Sequence, residues 1–257
     1  MSLKIFQISL IGLLMVSTPV AMADTSKLGV EFIGNYSQTS DPIQTNGKSF
    51  TFKTGSIGLR GTMDYDEYGK VFLQYGVAYS PSESANFIDA KLSGSISVQS
   101  IGYGYIYPYD IASTPWSVDF KLDRTTSKHT GDNFSGTYNS HAATASVSAT
   151  SEFTRAGVAL NYQLSDDVVL TAGAGSYQWD IEAEAKGNLD IGATTFTTDL
   201  KDANGASPSG TDSFYFVEST FPLLDKETKL GFRRSGLNTD TNNTLNEIYV
   251  EIPMDFY

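Results

Sequence analysis

Between Phe153 and Gly175 apolar and polar positions alternate. Ala156, Val158, Leu160, Tyr162 and Leu164 fall on one face of an extended segment, and Arg155, Gly157, Ala159, Asn161 and Gln163 fall on the other. That period of two is the signature of a strand with one apolar and one polar face. After Ser165-Asp166-Asp167 the alternation resumes, with Val168, Leu170, Ala172 and Ala174 opposite Thr171, Gly173 and Gly175. Two strands of about ten residues joined by a tight acidic turn predict an antiparallel hairpin, and about 9–11 residues is what a tilted strand needs to cross a bilayer. A soluble sandwich could contain the same hairpin, so the rest of the pattern has to decide.

The pattern recurs along the chain with different residues each time. Leu28, Val30, Phe32 and Tyr36 oppose Glu31 and Asn35; Ile57, Leu59 and Met63 oppose Gly58, Arg60 and Thr62; Val71, Leu73, Tyr75, Val77 and Tyr79 oppose Gln74, Gly76 and Ala78. Ile101, Tyr103, Tyr105 and Tyr107 alternate with Gly102 and Gly104, whereas Ile96 and Val98 have the opposite phase, which predicts a β-bulge near Gln99 or Ser100. Trp116, Val118, Phe120 and Leu122 oppose Ser117, Asp119, Lys121 and Asp123. Beyond the opening hairpin the phase changes near Ser176, before Tyr177, Trp179 and Ile181; three more strands follow at about Phe214–Phe221, Lys229–Arg233 and Ile248–Phe256.

Ten strands result, with eight and twelve as alternatives. Their connections alternate long and short, and the long ones include Gln38–Ser49, Pro81–Gly94, Thr125–Ser151, Glu182–Asp212 and Asn238–Asn246. In the third of these, Ala142–Thr150 alternates small residues and extends its strand beyond a membrane; in the fourth a hairpin is expected around Leu189–Leu200.

The N-terminus changes the picture. Met1–Ala23 carries one charge, Lys4, a short apolar run from Ile5 to Val16, and Ala21-Met22-Ala23 before Asp24, the pattern of a secretory signal cleaved after Ala23. The mature domain is then residues 24–257. No cysteine is present, so disulfides, thiol chemistry and lipidation through cysteine are excluded. Removing Lys4 from the 17 basic residues leaves 16 against 29 acidic ones, a net charge of −13 that argues against nucleic acid as a partner. No apolar run after the signal reaches the length of a membrane helix, so a membrane form must be a closed barrel, which alone leaves no backbone group unpaired in lipid.

Aromatic residues gather near the short-turn ends: Tyr65, Tyr68, Tyr107, Tyr109, Trp116, Tyr162, Phe221, Phe256 and Tyr257. A girdle at a membrane interface has this composition. With the alternation and the loop asymmetry, the chain from Asp24 to Tyr257 resembles the small outer-membrane β-barrel proteins of Gram-negative bacteria. The resemblance is architectural and rests on no subfamily motif. It implies an all-β, closed, antiparallel up-and-down barrel with short periplasmic turns and long extracellular loops, located in the cell outer membrane after export. It also implies outer-membrane lipid, lipopolysaccharide and the barrel-insertion machinery as partners. Such proteins commonly end on an outward-facing aromatic; here the apolar phase ends on Phe256, and Tyr257 lies one beyond it.

In a barrel the polar phase faces inward. That set comprises Glu31, Arg60, Asp119, Lys121, Asp123, Arg155, Glu218, Lys229, Arg233 and Glu251. Such residues either set the selectivity of a pore or fill a narrow lumen with ion pairs. Inward glycines, among them Gly76, Gly104 and Gly173, either open space or admit larger neighbours. The two histidines, His129 and His141, lie in the connection Thr125–Ser151 and read as solvated loop residues; Ser140-His141 matches no catalytic spacing. Asp180, Glu182, Glu184 and Asp190 match no calcium loop. No enzyme activity, cofactor or metal is expected. The functional expectation is a narrow, porin-like barrel allowing limited passage of ions or small solutes; the alternative is a scaffold whose surface loops bind a partner, a surface or a phage; an outer-membrane enzyme ranks third.

Overall fold

The computed structural model describes residues 27–254 apart from 41–42, 46–47, 51–52, 66–67, 88–89, 139–140, 190–193, 201–208 and 238–242. The signal segment, the Ala23 cleavage point and the terminal Phe256-Tyr257 pair lie outside the described residues. Among the described residues thirteen strands form: β1 (Lys27–Thr39), β2 (Ile43–Thr45), β3 (Lys48–Phe50), β4 (Lys53–Asp64), β5 (Lys70–Phe87), β6 (Ala90–Asp110), β7 (Trp116–Tyr138), β8 (His141–Ser165), β9 (Val168–Leu189), β10 (Thr194–Leu200), β11 (Ser209–Leu223), β12 (Lys226–Leu237) and β13 (Asn243–Met254). Ten of them close a ring in the order β1-β4-β5-β6-β7-β8-β9-β11-β12-β13, because β13 pairs back to β1; β3 joins β5 beyond the ring, and β10 joins β9. Every pairing is antiparallel, and the ring strands follow one another in chain order up to the closing pair of β13 with β1, an up-and-down barrel.

The register fixes the shape. Followed across the hydrogen bonds from strand to strand, Lys27 leads round the ring to Thr39, twelve residues further along the same strand (39 − 27). With ~3.3 Å per residue and ~4.8 Å between strands, a shift of twelve over ten strands means a tilt of about 40° and a backbone diameter of roughly 20 Å. Each residue then climbs roughly 2.5 Å along the barrel axis.

The outer surface separates a membrane barrel from a soluble one. Ile57 is 58% exposed, Leu59 51%, Val217 54% and Ile248 54%, and they belong to a belt that includes Leu160, Leu170, Phe120, Leu122, Tyr75 and Phe232. A soluble protein does not wrap itself in a continuous apolar band of that size. Four or five outward positions per strand make a band roughly 20 Å tall at this tilt. Trp116 and Tyr162, paired at the short-turn end with ring centroids 4.6 Å apart, belong to its lower edge.

The turns at that end are short and specified. Leu224 and Asp225, between β11 and β12, have φ of 52° and 61°, the doubly left-handed conformation that matches strand twist in two-residue hairpins. Gly69 has φ of 93°, and a Cβ there would sit 2.3 Å from the Ile106 carbonyl oxygen, so glycine is required.

Two expectations about strand irregularity are corrected. Pairing is regular through Gln99 and Ser100 and through Ser176; the register shifts lie at 80–83 of β5, where Pro81 cannot donate to the ladder, at 93–97 of β6, at 131–134 of β7 and at 163–165 of β8. What changes at those places is the environment. Above the belt Val98, Tyr177 and Trp179 turn inward and are buried, while Ser97, Gln99, Gln178 and Asp180 face out and are exposed. Beyond the bilayer the outside is water, so the apolar face moves to the interior with no change of strand phase.

The connections are correspondingly made largely of strand. Thr125–Ser151 continues β7 and β8 as far as Tyr138 and His141, with two residues between them, and part of Asn238–Asn246 belongs to β13. Its Ser, Thr, Ala and Gly positions alternate with little contrast in polarity, so the strand was not visible as such. The fourteen residues of β8 from His141 to Thr154 carry the wall roughly 35 Å beyond the belt.

Candidate functional site in the barrel interior

The inward positions of adjacent strands meet by register. Glu31 lies opposite Arg60, Asp123 opposite Arg155, Lys229 opposite Glu251, and Arg233 opposite Glu247. Directly opposed Cβ atoms stand about 5 Å apart, close enough for ion pairs. Each pair forms: Arg60 Nη1 is 3.2 Å from Glu31, Arg155 Nη1 3.0 Å from Asp123, Lys229 Nζ 3.2 Å from Glu251, and Arg233 Nη1 3.4 Å from Glu247.

Other contacts bridge strands that are not neighbours. Arg60 on β4 also reaches Glu251 on β13 at 2.7 Å, passing over β1. Glu251 therefore holds Arg60 with one oxygen and Lys229 with the other. Lys121 on β7 reaches Glu218 on β11 at 3.4 Å, with β8 and β9 between them, and Tyr249 donates to the other Glu218 oxygen at 2.6 Å. Gln74 accepts from Arg60 Nε at 3.2 Å and Nη2 at 3.0 Å.

The cations also lie on rings: Arg60 over Phe72 at 4.8 Å, Lys121 over Phe216 at 4.7 Å, Arg155 over Phe153 at 5.5 Å, and Arg233 over Phe214 at 5.9 Å and Tyr249 at 5.2 Å. Those rings in turn lie on glycines. A Cβ on Gly173 would be 2.3 Å from the Phe216 ring, on Gly231 2.3 Å from Tyr249, and on Gly104 2.4 Å from Phe72. The inward glycines are where neighbouring aromatics fit.

Nine of the ten charged positions read from the sequence take part in this network. Asp119, on the same face of β7 as Lys121, is in no ion pair among the described residues. The pattern missed Glu247, Tyr249 and Lys70; it places Gln74 and Asn35 on polar faces but outside the candidate set, and Asn35 donates to Glu247 at 3.3 Å. Glu247 and Tyr249 share the phase of Glu251, and that phase was the available signal; Lys70 stands at the first residue of its strand, 3.9 Å from Glu31.

Above the charged layer apolar clusters fill much of the interior, beside buried polar residues such as Thr39, Ser151, Ser235 and Asn243. Tyr177, Trp179, Phe214, Phe216, Leu237 and Leu245 form one buried cluster, with Phe153 and Ile181 against it; Leu92, Phe134, Ala143 and Ala145 form a second, with Ile96 and Val147. Burial pushes the Tyr177 phenol above its ordinary range, and its hydroxyl donates to the Gly236 carbonyl.

His129 belongs to this region. It sits on the inner face of β7, with Nε2 3.1 Å from Ser151 Oγ, and burial lowers its pKa to about 4. The reading of a solvated loop histidine is therefore corrected for His129; His141, the first residue of β8, is exposed. The Glu184 and Asp190 side chains lie outside the described residues. No group of three or more His, Cys, Asp or Glu is placed to hold a metal among the described residues.

No protein-family model and no curated protein matches the chain. Among solved structures, the translocator domain of the autotransporter NalP from Neisseria meningitidis aligns over 97% of this chain and 96% of its own, at 11% identity and a TM-score of 0.53. The outer membrane protease OmpT from Escherichia coli aligns over 90% of this chain and 95% of its own, at 8% identity and a TM-score of 0.40. The fold is that of a small outer-membrane β-barrel. At such identities the likeness concerns architecture, and activity has to be argued from the interior and the walls.

Proposed function

We propose that the chain is an integral outer-membrane barrel, inserted with its short turns toward the periplasm, whose filled interior passes at most ions or very small solutes. The observation that supports this most is the meeting of Lys121 and Glu218 across two intervening strands, within a network that also ties β1, β4, β12 and β13. A lumen bridged by paired side chains from strands two and three apart in a ring of ten is narrowed and has no wide aqueous path, unlike the 16–18-stranded porins. The interior is structural, and no nucleophile, metal or cofactor is assigned to it. Liposome swelling tests the reading. Vesicles carrying the refolded protein should swell in arabinose no faster than protein-free vesicles; rapid swelling would overturn the filled lumen.

A second reading has its own support. On β5 to β9 the wall rises well past the belt, and its outer face there is hydroxyl-rich, with Ser93, Ser97, Thr126, Ser146, Ser148 and Thr150 facing out. Such a wall suits a scaffold that presents a surface to a partner. Cells carrying a barrel trimmed of Gly131–Val147 should lose whatever adhesion or phage adsorption the intact barrel confers, while still showing the heat-modifiable gel mobility of a folded barrel. Undiminished adsorption by the trimmed form contradicts this second reading.

A further inference from the structure

Asp119 stands apart from the other inward charges. Asp123, on the same face of β7, has Arg155 directly opposite, whereas Asp119 has Pro108 on β6 and Ala159 on β8. Neither offers a side-chain donor, and Pro108 has no backbone N–H either. Lys121, the next inward residue of β7, is turned away: its Nζ is 3.4 Å from Glu218 and lies over the Phe216 ring at 4.7 Å. Lys70, on β5 beyond β6, reaches toward Glu31 at 3.9 Å. Among the described residues Asp119 makes no ion pair and no hydrogen bond.

The space around it is a vestibule. Asp119 lies roughly 8 Å into the barrel from Trp116 at the short-turn end. Ser117, Asp119 and Asn161 are half-buried, and Pro108, in the inward phase of β6 at the mouth, is exposed, so water reaches this level. Beside them a polar row runs in register from Ser117 through Asn161 and Thr171 to Glu218. Thr171 donates to Asn161 Oδ1 at 2.7 Å, and Asn161 Nδ2 donates to Ser117 Oγ at 3.2 Å. The row climbs as the strands tilt and ends at the Lys121–Glu218 pair, roughly 5 Å above Asp119. There access falls away: Glu218 is 8% exposed.

We propose that this vestibule binds a small primary ammonium ion, with Asp119 as its carboxylate. A charge at this depth is penalised until a counter-charge joins it, and the neighbouring strands supply none. The match is one to one: a single carboxylate neutralises a single monovalent cation. Among the described residues no group of three acids or histidines could hold a metal, and a divalent ion needs more carboxylate than this mouth offers. An ammonium brings three N–H donors. Asp119 accepts from it through a charge-assisted hydrogen bond, and the Ser117 and Thr171 hydroxyl oxygens, which keep free lone pairs, stand nearby as further acceptors. The Lys121–Glu218 pair above keeps the bound ion from passing on.

This inference rests on the filled lumen proposed above, which makes the vestibule blind, and the test separates the two. The chain has no cysteine, so P108C places a single thiol directly opposite Asp119. The refolded full chain in detergent micelles is treated with 2-aminoethyl methanethiosulfonate, a primary ammonium, and with 2-sulfonatoethyl methanethiosulfonate, an anion. The ratio of the two rates cancels the reactivity of the thiol itself. That ratio should be at least tenfold higher in P108C than in P108C/D119N, and P108C/D119E should restore it; heat-modifiable gel mobility reports the folding of each variant. Millimolar methylammonium should slow the cationic reagent in P108C and not in P108C/D119N, whereas sodium at the same concentration should slow neither. Equal ratios in P108C and P108C/D119N, or equal slowing by sodium and methylammonium, overturns the ammonium site. In vesicles the sulfonate reagent should reach the thiol from the short-turn side only; equally fast labelling from the extension side would refute the filled lumen and leave the site standing on the ratio.

Discussion

At the scale of single residues the barrel is decided by which side of the wall a side chain occupies. Leu160 and Asn161 are neighbours in β8, but Leu160 is 43% exposed on the belt while Asn161 accepts from Thr171 at 2.7 Å inside. An arginine at the bilayer midplane of a barrel costs about 2–4 kcal/mol. Leu160→Arg should therefore lose that much folding free energy in vesicle titrations, and Asn161→Arg clearly less; equal losses would contradict the assigned faces. His129 offers a second residue-scale expectation. Its folded pKa of about 4 lies below the ordinary 6.5, so the neutral form is favoured by folding. Its contribution is fully present above pH 6.5 and is lost as pH falls toward 4, to a limit of about 3 kcal/mol. Denaturant titrations across that window should show this slope, and His129→Gln should flatten it; an unchanged slope would mean that other groups carry it.

At the scale of elements, the hairpin of β8 and β9 was legible because Val158 and Leu160 stand in strong contrast to Arg155 and Asn161. The same rule failed above the belt for a physical reason. Alternation reports the difference between two environments, and that difference reverses sign where lipid gives way to water. Ile96, Val98, Tyr177 and Trp179 thus looked like a slipped register when the pairing was continuous. Between Thr125 and Ser151 contrast faded altogether, since Ser and Thr face outward against Ala and Gly within. The extension is nonetheless a packed element. Phe134 is 1% exposed and Leu92 0%. Phe134→Ala should cost about 3–5 kcal/mol, as core aromatic truncations do, while Ser148→Ala on the outer face should be near neutral. Amide hydrogen exchange of the β7–β8 hairpin reads both; an indifferent Phe134→Ala would mean that the extension is not held by its apolar interior.

For the whole molecule, ten strands and a register shift of twelve set a lumen narrow enough for side chains of non-adjacent strands to pair across it. Apart from Asp119, the inward charges read from the sequence are paired: Glu251 holds two cations, and Glu218 takes Lys121 and the Tyr249 hydroxyl. That balance was partly readable, because cations and anions recur on the same strand phase. Which of them meet was not, because partners such as Lys121 and Glu218 are 97 residues apart and are brought together only by the curling of four consecutive strands of the ring. An unpaired charge in so enclosed a place would carry a penalty of several kcal/mol, which is why pairing and filling go together. The measurement that bears most directly on this account is single-channel current in planar bilayers, for the wild type and for Lys121→Ala/Arg155→Ala. The wild type should give little or no steady current. The double variant, with two long side chains removed and Glu218 and Asp123 left to draw in water, should conduct. A large wild-type conductance that the truncations leave unchanged would contradict the filled lumen.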